Sequence, residues 1–192
     1  MAIEAVLVST MLVALAEMGD KTQLLAFVLA SRFKKPWTVM LGILIATLLN
    51  HTLAALAGGW IQQNIPIVVM TWLLALTFIG FGFWTLVPDQ YEGQPEPGKL
   101  GPLFSTIVLF FLAEIGDKTQ MATLALGAKY GDILSVVAGT TLGMLIADGL
   151  AVFLGTGLER FIEFSLLRLI AAALFVLLGF ATLIGYYLTH SF

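Results

Sequence analysis

The 192-residue chain contains no cysteine, which excludes both a disulfide framework and thiolate ligation of a metal. Charge is scarce as well: 11% of residues are Asp, Glu, Lys or Arg, against 59% hydrophobic. A soluble domain of this size needs a far more polar surface. The nine Lys and Arg are scattered without forming a basic stripe, so nucleic acid is not an expected partner. Proline is confined to Pro36, Pro66, Pro88, Pro95, Pro97 and Pro102, all between apolar runs or at the start of one, where a missing N–H costs least. Any break inside a run must therefore come from glycine. A basic leader is also missing. Ala14-Leu15-Ala16 resembles a cleavage site, but Glu4 has the wrong sign for a signal peptide, so residues 2–16 read as a retained first span.

What the chain does have is length in apolar runs, with a mean hydropathy of +1.00. Six spans of roughly 20 to 25 residues fit the ~30 Å hydrocarbon core of a bilayer. They are expected near 4–30, 37–57, 67–87, 102–127, 133–155 and 166–188, giving an all-α, six-helix membrane protein. Residues 88–101 are polar, hold three Pro and three Gly, and read as the one real linker. Arg32, Lys34, Lys35, Lys99, Arg160 and Arg168 would lie on one side and Lys129 alone on the other. By the positive-inside bias, both termini are expected outside, periplasmic or extracellular, with the linker in the cytoplasm.

Shifting the chain by 97 residues superimposes two copies of one string. Glu17-Met18-Gly19-Asp20-Lys21-Thr22-Gln23 meets Glu114-Ile115-Gly116-Asp117-Lys118-Thr119-Gln120. The register continues: Gly42 meets Gly139, Gly58 meets Gly155, and Gly82-Phe83 meets Gly179-Phe180. The expected organisation is repeat one at 1–87, the linker at 88–101 and repeat two at 102–192. Because each repeat has three spans, the second would enter the membrane upside down, an inverted-topology arrangement typical of secondary transporters.

Ionisable residues at bilayer depth are costly and mark ion or proton sites. On continuous helices, Glu17 and Asp20 would share one face, as would Glu114 and Asp117. Packing the repeats about a two-fold axis would bring the four carboxylates together near the midplane. Such a cluster must hold protons, bind a cation or alternate between the two, and alternation is cation/proton antiport. Oxygen donors suit Ca²⁺, Mg²⁺ or Mn²⁺ better than Zn²⁺ or Cu⁺. Thr22, Gln23, Thr119 and Gln120 would supply supporting oxygens, Thr22 alternatively bonding backbone freed at Gly19. Gly19 and Gly116 would allow either close helix approach or local unwinding. Lys21 and Lys118, one turn after Glu17 and Glu114, would balance charge or act as tethered cations. His51, preceded by Asn50, and its counterpart Asp148 are candidate gating or proton-relay groups. Gly139 and Gly143 have the spacing of a close helix contact.

The paired motif in a duplicated six-span chain resembles the calcium/manganese–proton antiporter family, whose bacterial members include manganese exporters of the MneA type. The resemblance implies a non-enzymatic exporter in a bacterial inner membrane. It implies that Glu17, Asp20, Glu114 and Asp117 carry Mn²⁺ or Ca²⁺ as transported substrate, in exchange for protons or Na⁺, and that no resident cofactor is needed. Met18 opposite Ile115 would place a thioether near the site, which suits Mn²⁺ better than Ca²⁺. Three other readings compete: an exporter of an amino acid or other small solute, a non-transporting membrane scaffold, and an intramembrane aspartyl protease built on Asp20 and Asp117. That protease chemistry has no use for the adjoining Glu and Lys.

Overall fold

A computed structural model describes residues 2–87, 100–154 and 164–190, and all regular structure among them is helical. The helices are α1 (Ala2–Glu17), α2 (Lys21–Phe33), α3 (Pro36–Asn64), α4 (Ile67–Thr85), α5 (Pro102–Glu114), α6 (Lys118–Tyr130), α7 (Ile133–Leu154) and α8 (Phe164–His190). Most of the linker, together with Arg160 and Gly155, lies outside the described residues.

Four helices, α3, α4, α7 and α8, are long and apolar enough to cross a membrane. The pair α1–α2 makes a fifth candidate if its 74° bend is counted within one span. Each of the expected spans 4–30 and 102–127 is interrupted at its motif, so neither is one continuous helix. α5 and α6 have 13 residues each. At 1.5 Å per residue that is about 20 Å, short of the hydrocarbon thickness. α3 also runs past the expected stop at residue 57 to Asn64. Gly58 and Gly59 do not end it, because other helices pack on them: a β-carbon at Gly58 would collide with the Leu124 carbonyl of α6.

The two halves of the chain interleave. α1 packs most extensively on α7, α5 and α6 on α3, and α4 on α8. Interior side chains form two apolar clusters. One gathers Leu12, Leu74, Phe78, Leu126 and Phe175 from α1, α4, α6 and α8. The other gathers Val13, Leu29, Ile43, Phe110 and Met144 from α1, α2, α3, α5 and α7. Large apolar side chains such as Trp37, Leu76 and Leu134 point outward, as a lipid-facing surface requires. The expected close contact at Gly139 and Gly143 is present: their absent β-carbons would lie 2.6 Å from the Val6 carbonyl and 2.7 Å from the Thr10 carbonyl of α1.

At the α6–α7 turn, Asp132 accepts from the Ser135 hydroxyl at 2.6 Å and its N–H at 3.2 Å, capping α7. Those bonds hold the Asp132 carboxyl below its ordinary range.

The crossing of α3 and α6 is set by small residues. A β-carbon on Gly127 would sit 2.6 Å from the Ala55 carbonyl, whereas one on Gly80 of α4 meets nothing within 4 Å. Gly127→Val should therefore lower stability by about 1–3 kcal/mol or more. Gly80→Ala should change it by less than ~0.5 kcal/mol. Thermal unfolding of the purified variants in detergent checks both, and equal effects would contradict the packing.

Candidate metal site at the two helix breaks

α1 ends on Glu17 and α5 ends on Glu114, and each helix resumes at a lysine, Lys21 or Lys118. Between them Gly19 and Gly116 adopt left-handed backbone, with φ of 80° and 75°. Glycine is the residue that tolerates this conformation without cost, so of the two roles foreseen for these glycines the chain uses unwinding. The aspartate that follows occupies the N-cap position. Asp20 accepts from the Lys21 N–H at 2.5 Å, while Asp117 has the same extended backbone without a side-chain capping bond. Hence Glu17 and Asp20 are not neighbours on one helix face, nor are Glu114 and Asp117; each pair is joined by a turn.

Side chains within each motif fasten the break. The Thr22 hydroxyl donates to Glu17 Oε2 at 2.5 Å, and the Thr119 hydroxyl to Glu114 Oε2 at 3.1 Å. The freed glycine N–H groups donate to the glutamine amides: Gly19 to Gln23 Oε1 and Gly116 to Gln120 Oε1, both at 2.8 Å. Glutamine, and not Thr22, therefore satisfies the backbone released at Gly19. Each glutamine then reaches into the other half of the chain. Gln23 Nε2 donates to the Ala147 carbonyl at 2.8 Å and contacts the Met18 sulfur at 3.6 Å. Gln120 Nε2 donates to Asn50 Oδ1 at 3.3 Å, and Asn50 Nδ2 to the Phe111 carbonyl at 3.1 Å. Asn50 is thus a bracing residue that motif spacing does not identify. The available signal is the 97-residue register, which sets its amide opposite Ala147.

The lysines also cross between halves. Lys21 Nζ lies 2.7 Å from Asp117 Oδ1, and Lys118 Nζ lies 2.8 Å from Asp20 Oδ2. The helical Glu-to-Lys pairing is replaced by two reciprocal Asp–Lys pairs. They are unequal in access: the Lys21 side chain is 30% exposed and that of Lys118 only 5%.

Glu17, Glu114 and Asp117 are all buried, and one carboxylate oxygen from each lies within 4.8 Å of the other two. Asp20, the fourth expected member, is taken up by its helix cap and Lys118 and is not part of this group. Among the described residues, Glu17 Oε1 and Glu114 Oε1 have no hydrogen-bond partner. Three converging carboxylates, two with an unengaged oxygen, can hold a hard divalent cation. His51 and Asp148 are also fully buried, and neither ring nitrogen nor either carboxylate oxygen has a hydrogen-bond partner among the described residues.

Comparison with known proteins follows the same lines. The family model described as "Divalent cation/proton antiporter GDT1" matches residues 5–93 and 102–190. A Vibrio cholerae serotype O1 protein named "Putative manganese exporter" is 43% identical over 183 residues, covering 95% of this chain and 90% of that one. The "GDT1-like protein 2, chloroplastic" of Oryza sativa subsp. japonica is 30% identical, over 91% of this chain and 59% of its own length. The "Protein PAM71-homolog, chloroplastic" of Arabidopsis thaliana is 29% identical, over 91% and 57%. No solved structure matches.

The inequality of the two ion pairs is measurable. Lys118→Met removes the buried ammonium that faces Asp20 and should cost about 3–5 kcal/mol. Lys21→Met should cost less, because the partly exposed Lys21 ammonium is screened by solvent and contributes less to its pair. Unfolding of both metal-free variants in detergent compares them, and a larger loss for Lys21→Met would contradict the geometry.

Proposed function

The chain belongs to the divalent cation/proton antiporter GDT1 family, and from that premise we propose that it exports Mn²⁺ in exchange for protons. The family is one of transporters, not enzymes, and the chain is a multi-pass membrane protein. Pairing of Asp20 and Asp117 with lysines also leaves no aspartate dyad for protease chemistry. Mn²⁺ as the cation is supported by the name of the Vibrio cholerae relative, and the all-oxygen donor group suits a hard divalent cation, Mn²⁺ among them.

The observation that carries the proposal is the convergence of Glu17, Glu114 and Asp117 within 4.8 Å. These three bind the cation. Asp20 stays with Lys118, and the threonines aim the glutamates. Gln23 and Gln120 hold the breaks open, leaving the second coordination positions to backbone or water. The motifs contribute four carboxylates and two lysines, an excess of two negative charges. One divalent cation or two protons neutralises that excess, which makes exchange of one for the other electrostatically cheap. Asp148 and His51, buried without partners, pass protons or gate the path.

Six membrane crossings follow if α1–α2 and α5–α6 each count as one broken span. Residues 1–87 and 102–192 then form inverted repeats, joined by the cytoplasmic linker 88–101, with both termini outside the bacterial inner membrane. Discontinuous helices meeting at the midplane are how such repeats build an ion site. Rocking of one repeat against the other would expose the site alternately, breaking and remaking the Asp–Lys pairs.

Proteoliposomes test the proposal. Mn²⁺ flux should follow an imposed pH gradient and ignore a Na⁺ gradient. Glu17→Gln and Glu114→Gln should each reduce flux by roughly 100-fold or more, and the double variant should be scarcely worse, because residues acting as a unit are non-additive. Asp148→Asn should slow flux while leaving equilibrium Mn²⁺ binding nearly intact. Since carboxylates must be deprotonated to bind, Mn²⁺ affinity should fall as pH falls. Flux coupled to Na⁺ alone, or additive losses, would refute the assignment.

A further inference from the structure

Two cavities on the outer surface of the bundle meet at a single residue, Ala181 of α8. The first, about 300 Å³, lies where the ends of α3, α4, α6 and α8 come together. Gln62, Thr71, Lys129, Thr182, Tyr186 and Thr189 give it a polar lining. The second, about 240 Å³, is a groove between α1 and α8, walled by Val8, Met11, Leu12, Leu174, Leu177 and Leu178. It offers no charged or hydrogen-bonding side chain.

The two follow one another along α8, a helix long and apolar enough to cross a membrane. Tyr186 and Thr189 lie on the last turn of α8, which ends at His190, and Leu174 lies deeper in the same helix. From Tyr186 to Leu174 the helix rises about 18 Å. One leaflet of a ~30 Å hydrocarbon core is about 15 Å. The polar cavity thus sits at the headgroup level and the apolar groove runs down through one leaflet.

Lys129 decides the chemistry of the head. Among the described Lys and Arg residues, it alone lies at the end of the bundle carrying the α3–α4 and α6–α7 turns. Its ammonium donates to the Thr182 hydroxyl at 2.8 Å, which fixes it against the cavity wall and leaves donor capacity for an anion. Glu4 lies close enough to act on Lys129 electrostatically. With Glu4 offsetting Lys129 the surrounding is close to neutral, so a singly charged phosphodiester meets less repulsion than a doubly charged phosphate monoester.

We propose that the two cavities form one glycerophospholipid site, with the phosphodiester on Lys129 and an acyl chain in the α1–α8 groove. The bound lipid fills the seam between α1, which ends on Glu17, and α8 from the other half of the chain. This proposal is independent of which ion is carried.

The test uses the full chain purified in detergent, with phosphatidylglycerol bearing a diazirine on one acyl chain. Native mass spectrometry should show one tightly held lipid per chain, and photolabelling should concentrate on residues 8–12 and 174–181. Lys129→Met should weaken retention about tenfold, Lys129→Arg should preserve it, and Ala181→Trp should block labelling of the groove without unfolding the protein. Phosphatidic acid should bind more weakly than phosphatidylglycerol. Labelling spread evenly over all outward faces and unchanged by Lys129→Met would overturn the site, leaving only ordinary annular lipid. Displacement of the lipid by millimolar inorganic phosphate would overturn it too, since the polar cavity alone would then be the ligand site.

Discussion

Glu17 and Glu114 are buried at the ends of interrupted helices, each with one oxygen tied to a threonine and the other unengaged. A buried carboxylate is tolerated only when charge and hydrogen bonds around it compensate. Most of the architecture near the site answers that requirement. The two lysines reach across to the opposite aspartates, so each half of the chain neutralises the other. Neither half can bury its own motif alone, which ties folding of the bundle to assembly of the site. The compensation is deliberately incomplete, and the residual negative charge is what a transported cation meets.

The helix breaks make this geometry available. A continuous helix would present Glu17 and Asp20 on one face as a fixed pair. Instead, left-handed glycines at 19 and 116 turn the chain, place each aspartate at a helix N-terminus, and free N–H groups that the glutamines accept. Those glutamines also reach α7 and α3 of the other half, so the backbone at each break is held from both sides.

The sequence made the membrane class legible because apolar run length and scarce charge are direct consequences of bilayer thickness. The motif pair was legible because ionisable residues stand out against such a background. Hydropathy could not reveal the interruptions: Gly19 and Gly116 sit within runs whose average stays apolar, and a helical Glu-to-Lys spacing reads as a local pair. The cross-half pairs Lys21–Asp117 and Lys118–Asp20 depend on how α2 and α6 face one another, which no local period encodes. The same holds for Asn50, whose role arises only when α3 packs against α5 and α6. α3 continues through Gly58 and Gly59 because small residues in a bilayer let a neighbouring helix approach.

The central claim is that both motifs build one site. Calorimetric titration of the metal-free protein with Mn²⁺ at fixed pH measures this directly. The account predicts a single high-affinity divalent site per chain, with proton release seen as an apparent binding heat that varies with the buffer's ionisation enthalpy. Two sites per chain, each binding Mn²⁺ after the other motif has been neutralised, would contradict it.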